Sequence, residues 1–280
     1  MDRWLSGMAD ALAYMEAHLT QPTDVAAIAR RAYMSPFHFQ RVFAALCGMT
    51  VGAYVRRRRL TLAGETLATG QVRVIDAALR FGYDSPDSFN RAFRRFHGVT
   101  PSEARRGAAL RHQPPLKITL TMEGDRMLEY RIEDKPAFTL FGLKRRFHPE
   151  TSYQEIPQYW LAVMDMVQPP VYGMYGVCVD DGAADGGFDY FIADELEAGQ
   201  TLPEGCVRLE VPAHTWAVFP CRGQLPQALQ EVNTRMWGEW LPASRAWKLA
   251  ADMNVEAYMP RNAPSGGDYC ELWLPVEPAE

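Results

Sequence analysis

VAAIARRAYMSPFHFQRVFAALCGMT (residues 25–50) and IDAALRFGYDSPDSFNRAFRRFHGVT (residues 75–100) align without a gap at an offset of fifty. Ten of the twenty-six positions are identical, among them Tyr33/Tyr83, Ser35/Ser85, Pro36/Pro86, Phe39/Phe89, Arg41/Arg91, Phe43/Phe93 and Gly48/Gly98. The chain therefore carries two copies of one small unit, and such a repeat outranks local propensity in deciding the fold. Each copy predicts helix, tight turn, helix. In the first, Val25, Ile28, Ala29 and Ala32 recur at helical spacing, and Tyr33-Met34 makes the turn. Ser35 is placed to cap the second helix, and Pro36 takes its first position, where a missing N–H costs nothing. Gly48 ends that helix. Its inner stripe should be Phe39, Val42, Phe43 and Leu46, which leaves Phe37, Gln40, Arg41 and Ala44 outside. In the second copy Ser85 is the cap, Phe89, Ala92, Phe93 and Phe96 face inward, and Asp87, Asn90, Arg91 and Arg94 face outward.

The net charge of −5 conceals a division. Residues 1–113 hold sixteen arginines, no lysine and nine acids, a charge of +7, whereas the remainder holds thirteen bases against twenty-five acids, −12. A basic block ahead of an acidic one predicts a polyanion-binding module joined to a part that binds none. Outward Gln-Arg or Asn-Arg pairs on a helix suit the DNA major groove, where the amide pairs with adenine and the guanidinium with guanine. Between the copies, Val51 to Thr69 predicts a longer helix holding them apart. Two readers entering successive major grooves would stand about 34 Å apart. In the run Arg56 to Arg59, successive side chains point about 100° apart, so only one or two can reach the same phosphates.

Residues Asp24 to Arg106, with Tyr-x-Ser-Pro-x-x-Phe-x-x-x-Phe in each half and Phe81-Gly82-Tyr83 leading the second, resemble the AraC-type DNA-binding domain. The resemblance implies base contacts from Phe37, Gln40 and Arg41 in the first unit and from Asp87, Ser88, Asn90 and Arg91 in the second. An apolar Phe37 and an acidic Asp87 would alter readout, Asp87 toward cytosine N4. Double-stranded promoter DNA is the expected partner, and RNA polymerase a candidate further one.

Residues 114–125, with Pro114, Pro115 and Gly124, predict a linker between a domain spanning 1–113 and one spanning 126–280. In the second domain, strand-like Phe138–Phe147, helical Tyr153–Val167 and strand-like Val171–Asp180 and Phe188–Asp194 are followed by Thr215–Cys221, Leu225–Trp240, Met253–Met259 and Tyr269–Val276. The fold class expected is an all-α N-terminal domain, two helix-turn-helix units joined by a helix, ahead of an α+β domain of two strand-helix-strand-strand modules with a cleft between them. Trp237-Gly-Glu-Trp240-Leu-Pro-Ala-Ser, Val255-Glu256-Ala-Tyr258 and Glu271-Leu-Trp-Leu-Pro-Val276 resemble the gyrase-inhibitor-like effector-binding domain, and the domain order is that of the Rob-like members of the AraC class. That likeness implies multidrug sensing through a carboxylate at Glu256 ringed by aromatics that holds a small amphipathic effector, cationic or aromatic. Tyr258, Trp160, Tyr172, Trp240, Glu271 and Trp273 are the further candidate ligand residues. Core packing is the alternative for each aromatic taken alone.

Two other readings of this half are a docking site for a protein partner and a DNA-tethered hydrolase of electrophilic small molecules. Neither a metal-spaced His cluster, a Gly-rich phosphate loop nor a Gly-x-Ser-x-Gly nucleophile motif is present, so no catalytic residue, metal or cofactor is expected. Five scattered cysteines, never as Cys-x-x-Cys, fit buried thiols in a reducing compartment. No apolar run reaches eighteen residues and the opening Met-Asp-Arg-Trp lacks a secretion signal, so a bacterial cytoplasmic, nucleoid-associated location is expected.

Overall fold

The computed structural model of the protein describes residues 2–117, 128–181, 186–197, 199–258 and 269–279. From residue 118 on, the expected linker lies outside the described residues, as do the expected domain start at 126 and Met259. Seven helices come first: α1 (Asp2–Ala17), α2 (Val25–Arg31), α3 (Pro36–Cys47), α4 (Val51–Ala68), α5 (Val74–Arg80), α6 (Pro86–His97) and α7 (Pro101–Ala104). The chain packs as two compact units, residues 2–36 with 49–117, and residues 37–48, nearly all of α3, with those from 128 onward.

In the first unit several helix ends rest on a chemical signal. Ser85 accepts from the Ser88 amide at the head of α6, Thr50 accepts from Ala53 at the head of α4, and Thr100 and Glu103 form a reciprocal capping box on α7. Gly98 closes α6 at φ 81°, a left-handed conformation that glycine takes without a side-chain clash. The turns after α2 and α5 each need one left-handed residue, and the copies differ there: Tyr33 takes it in the first (φ 57°), Gly82 in the second (φ 81°). Leu60, Ala63 and Leu67 of α4 pack on Ala77 and Ala78 of α5 and on Phe89 and Phe93 of α6, with Ala92 and Phe96 half-buried at the margin. Leu46, expected on the inner stripe of α3, is instead exposed, whereas Phe39, Val42 and Phe43 are buried. One helix was not anticipated. In α1, Met8, Ala11, Leu12 and Met15 are buried at i, i+3, i+4, i+7 spacing.

The second unit is built on a sheet of nine strands among the described residues: β1 (Arg131–Lys135), β2 (Phe138–Phe147), β3 (Tyr175–Val179), β4 (Phe188–Glu195), β5 (Val207–Val211), β6 (His214–Arg222), β7 (Trp247–Leu249), β8 (Met253–Tyr258) and β9 (Tyr269–Pro278). All pairings are antiparallel, in the order β1-β6-β9-β8-β3-β4-β2-β5, with β7 paired to β9. The β3/β8 pairing lies at the middle of this order, with β9-β6-β1 beyond β8 and β4-β2-β5 beyond β3. Helix α8 (Ser152–Met164) follows β2, and α9 (Gln227–Arg235), extended by a π-turn at Met236–Trp240, follows β6. Alternation divides each strand between two faces. Val177, Phe191, Trp216, Val218, Val255 and Trp273 pack together on one of them. The other carries Cys178, Tyr190 and Glu256. The cysteines are free thiols, buried except for half-buried Cys47.

Candidate functional site

Helix α6 presents Asp87, Asn90, Arg91 and Arg94 to solvent, because Phe89 and Phe93 anchor the opposite stripe in the core. The Ser88 hydroxyl is engaged in the cap, donating to the Ser85 carbonyl at 2.8 Å. Helix α3 departs from its expected outward face. Phe37 is only 3% exposed, with its ring edge toward Trp237 at 5.7 Å, and Gln40 donates to the Gly186 carbonyl at 3.3 Å. The Arg41 guanidinium lies over the rings of Phe37 and Phe188, at 4.9 and 4.8 Å. An apolar ring and a guanidinium that stacks well on aromatic faces give this stripe a reason to be covered rather than solvated.

A second site opens on the sheet face that carries Glu256. A cavity of about 640 Å³ lies there, with Ile156, Trp160 and Met164 of α8, Leu229 of α9, Tyr258 and Arg41 among its walls. Glu256 is 7% exposed. Tyr190 donates to its Oε2 at 2.6 Å and Tyr258 donates to the same oxygen at 2.9 Å. Trp160 Nε1 in turn donates to the Tyr190 hydroxyl at 2.9 Å, so an indole, a phenol and a carboxylate form one chain. Burial pushes the Glu256 carboxyl above the ordinary carboxylate range, against the opposing pull of the two phenols and of the Arg41 charge. The same burial, with the carboxylate alongside, raises both phenols well above their ordinary value.

This closeness depends on Gly176, which faces Glu256 across the β3/β8 seam. A Cβ there would collide with the Tyr190 hydroxyl and come to 2.5 Å from Glu256 Oε2. Gly176→Ala is therefore expected to force the phenol and carboxylate apart and to cost about 1–3 kcal/mol of stability, the range for overpacking a filled site. Denaturant unfolding measures it, and a variant as stable as its parent would contradict the packing described.

The candidate ligand residues do not all meet. Glu256, Tyr258 and Trp160 converge, and Tyr172, 90% exposed, stands at the cavity margin. Trp240 packs on Phe219 and Tyr130, away from that wall. Glu271 and Trp273 lie on the opposite sheet face, because Glu256 pairs with Leu272 and Ala257 with Glu271. Glu271 is buried in its own network, accepting from Arg131 and Tyr269 at 2.8 Å and from Trp273 at 2.9 Å. Burial raises its carboxyl, yet the hydrogen bonds from Trp273, Arg131 and Tyr269 outweigh that and hold it below the usual range. Tyr190, which sequence reasoning missed, belongs to the Glu256 site. The available signal was an isolated glycine, Gly176, inside a strand pattern, which marks close approach by a neighbour.

Among the described residues no group of three or more His, Cys, Asp or Glu is arranged to hold a metal, and no helix is long and apolar enough to cross a membrane. Residues 131–276 match the family described as integron-associated effector binding protein, and residues 28–107 match the helix-turn-helix domain family. The right origin-binding protein of Escherichia coli K12 is 27% identical over 95% of this chain and 96% of its own length. The regulatory protein SoxS of Escherichia coli K12 is 36% identical over 34% of this chain and 90% of its own. Among solved structures, SAV2435 bound to tetraphenylphosphonium aligns at a TM-score of 0.43 and 19% identity, covering 54% of this chain and 94% of that one. The chain belongs to the AraC-type transcription regulators that carry a gyrase-inhibitor-like, integron-associated effector-binding domain behind their helix-turn-helix domain.

Proposed function

We propose that this regulator reads promoter DNA with the outward face of α6, and that its effector is a bulky amphipathic cation received beside Glu256. The observation that carries the effector reading is a buried carboxylate, its pKa raised by desolvation, on the wall of a largely apolar cavity that also holds Arg41 and a few polar side chains. Both phenolic donors fall on Oε2, and no hydrogen bond reaches Oε1 among the described residues. A cation with apolar arms matches that arrangement on two counts. It neutralises a charge that burial penalises, and it gains cation–π attraction from Trp160 and Tyr258 of about 0.5–2 kcal/mol per ring. The cavity size also falls within the range of small-molecule pockets. On this reading the two halves of the sheet unit are copies of one strand-helix-strand-strand module, with the effector beside their seam.

The reading of α6 rests on Asn90 and Arg91 standing exposed on a helix whose other stripe is locked in the core. Arg91→Ala is expected to relax base preference at one position of the site by about 1–3 kcal/mol, the worth of one bidentate guanine contact. Competition binding against single-base variants of a target duplex measures it. Uniform weakening on every variant would make Arg91 a phosphate contact instead.

A specific observation favours a second reading of the cavity region. Leu161 and Met164 of α8, with Met166, Val167 and Tyr172 beyond it, are large apolar side chains left exposed. Such a rim is also what a docking protein partner would cover. Thermal unfolding with tetraphenylphosphonium added separates the two. Ligand at one hundred times its dissociation constant raises stability by about 2.7 kcal/mol if it binds the folded state, and an unmoved midpoint would favour the partner.

A further inference from the structure

The fold treats the two copies of the repeated unit differently. On α6 the outward residues Asp87, Asn90, Arg91 and Arg94 are all exposed. Their counterparts on α3, fifty positions earlier, are Phe37, Gln40, Arg41 and Ala44, and each is buried or half-buried. Helix α3 packs with the sheet unit, and Gly238 of the π-turn makes room for it, since a Cβ there would stand 3.2 Å from the Ala45 Cβ. Arg41, the counterpart of exposed Arg91, is thereby brought into the wall of the cavity that holds Glu256.

Arg41 is held there by weak means. Its guanidinium stacks on the Phe37 and Phe188 rings, while Nη2 is buried with no hydrogen-bond partner among the described residues. Glu256 is in the complementary condition, with both phenols on Oε2 and no hydrogen bond to Oε1 among the described residues. Arg41 and Glu256 act on one another through charge, the guanidinium pulling the carboxyl down against its burial. An unmet buried donor is costly, and more so on a charged group. A cation that carries no N–H, such as tetraphenylphosphonium, offsets the same carboxylate and leaves no donor unmet.

We propose that Arg41 is a resident cation of the effector cavity: it occupies the place of the effector until an incoming cation displaces it and turns α3 back toward DNA. The inference deepens the effector reading given above and rests on it. Two consequences follow from charge and from linkage. A neutral molecule of the effector's shape has no charge to set against Glu256, so it leaves Arg41 in place. And because α3 serves either the cavity or a duplex, cation and DNA each raise affinity for the other by one and the same factor.

The test titrates the full chain against a duplex it binds, with and without saturating tetraphenylphosphonium, and again with triphenylphosphine oxide, which is neutral and carries similar arms. The cation should raise the parent's duplex affinity by about 5–150-fold, the range of coupling between sites, and the duplex should raise cation affinity equally. The neutral molecule should do neither. Amide exchange across residues 37–48 should quicken when the cation binds without DNA. Arg41→Ala should bind the cation more tightly and lose most of the coupling factor, whatever becomes of its duplex affinity. Phe188→Leu loosens the seat of the guanidinium from the sheet side and alters no residue of α3 or α6, so it should shrink the factor by raising duplex affinity in the absence of cation. It carries the test should the Arg41→Ala chain fail to fold. A parent that binds the cation while its duplex affinity and the exchange of 37–48 stay unmoved would overturn the inference and leave the effector reading standing. A full coupling factor retained in the folded variants would overturn it as well. A parent that binds no cation would remove the effector reading, and the role of Arg41 with it.

Discussion

Glu256→Gln is expected to weaken binding of tetraphenylphosphonium by about 2–5 kcal/mol, the cost of removing one member of a desolvated charge pair. The neutral amide keeps the shape of the site and can still accept from Tyr190 or Tyr258, so the loss isolates the charge. The pH dependence has a definite sign. Because burial holds the Glu256 carboxyl above its ordinary value, the ionised form that attracts a cation is populated only above that raised pKa. Cation affinity should rise with pH through it and level off beyond, and the Gln variant should show a flat profile. Without ligand the sign reverses. A carboxyl whose folded pKa is raised favours folding while protonated, and that contribution fades as pH climbs from the unfolded value to the folded one. The ligand-free Gln variant should therefore match or exceed its parent in stability at neutral pH. Arg41, whose charge already offsets part of the burial penalty, would compete with a cation for the same carboxylate, so Arg41→Ala should tighten binding. Isothermal titration of the three proteins across pH measures the affinities, and denaturant unfolding of the ligand-free parent and Gln variant measures the stabilities. Equal affinities for parent and Gln variant would end the carboxylate model.

The contrast between Glu256 and Glu271 shows what a sequence can disclose about such a site and where it stops. Strand alternation puts Glu256 and Tyr258 on one face, and Glu271 and Trp273 on one face of the next strand. It is silent on whether those faces are the same. That depends on register, and a shift of one residue reverses the outcome for a whole strand. Here Glu256 stands opposite Leu272, so the two carboxylates point to opposite sides. One is left at a cavity with a raised pKa; the other is saturated by an arginine, a tyrosine and a tryptophan. Tyr190 reaches Glu256 through pairings between β3 and β4 that no local pattern announces.

The helical unit was more legible because its information is local. The fifty-residue repeat places two turns, the Ser85 cap and, Leu46 excepted, two inner stripes through contacts only a few residues apart. Its misplaced elements are those set by distant partners. Phe37 has the spacing of a solvent-facing residue, but Trp237 covers it from two hundred positions away. The charge division was visible from composition alone. How Arg56 to Arg59 separate into structural and exposed pairs was not, since that depends on Glu16 and on the carbonyls of Leu19, Gln21 and Gln113.

Glu16→Ala is expected to destabilise the helical unit by about 3–5 kcal/mol, the cost of leaving a buried charge without its partner. Glu16 sits near the end of α1 and accepts from Arg58 Nε at 2.9 Å, from Arg58 Nη2 at 2.8 Å and from the Tyr54 hydroxyl at 2.5 Å. The Arg58 side chain is 6% exposed and that of Glu16 24%, so solvent screens the pair little. Burial raises the Glu16 carboxyl, but the bonds from Arg58 and Tyr54 prevail and its pKa is lowered. A carboxyl with a lowered folded pKa contributes fully above its unfolded value and loses that contribution as pH falls through the folded one. The difference between parent and Glu16→Ala should thus be constant near neutrality and shrink in acid. Tyr54→Phe, which removes one donor and keeps the ion pair, should cost less, about 1 kcal/mol. Denaturant unfolding at several pH values measures these differences, and a Glu16→Ala loss under about 1 kcal/mol would show that Arg58 is satisfied without it. The consequence reaches function through α4. Glu16 fastens α1 to the helix that also carries Arg56 and Arg57, and α4 is the floor on which Phe89 and Phe93 of α6 pack. Loosening that floor should lower DNA affinity in proportion to the unfolded fraction, leaving base preference unchanged, and this distinguishes a scaffold residue from a reader.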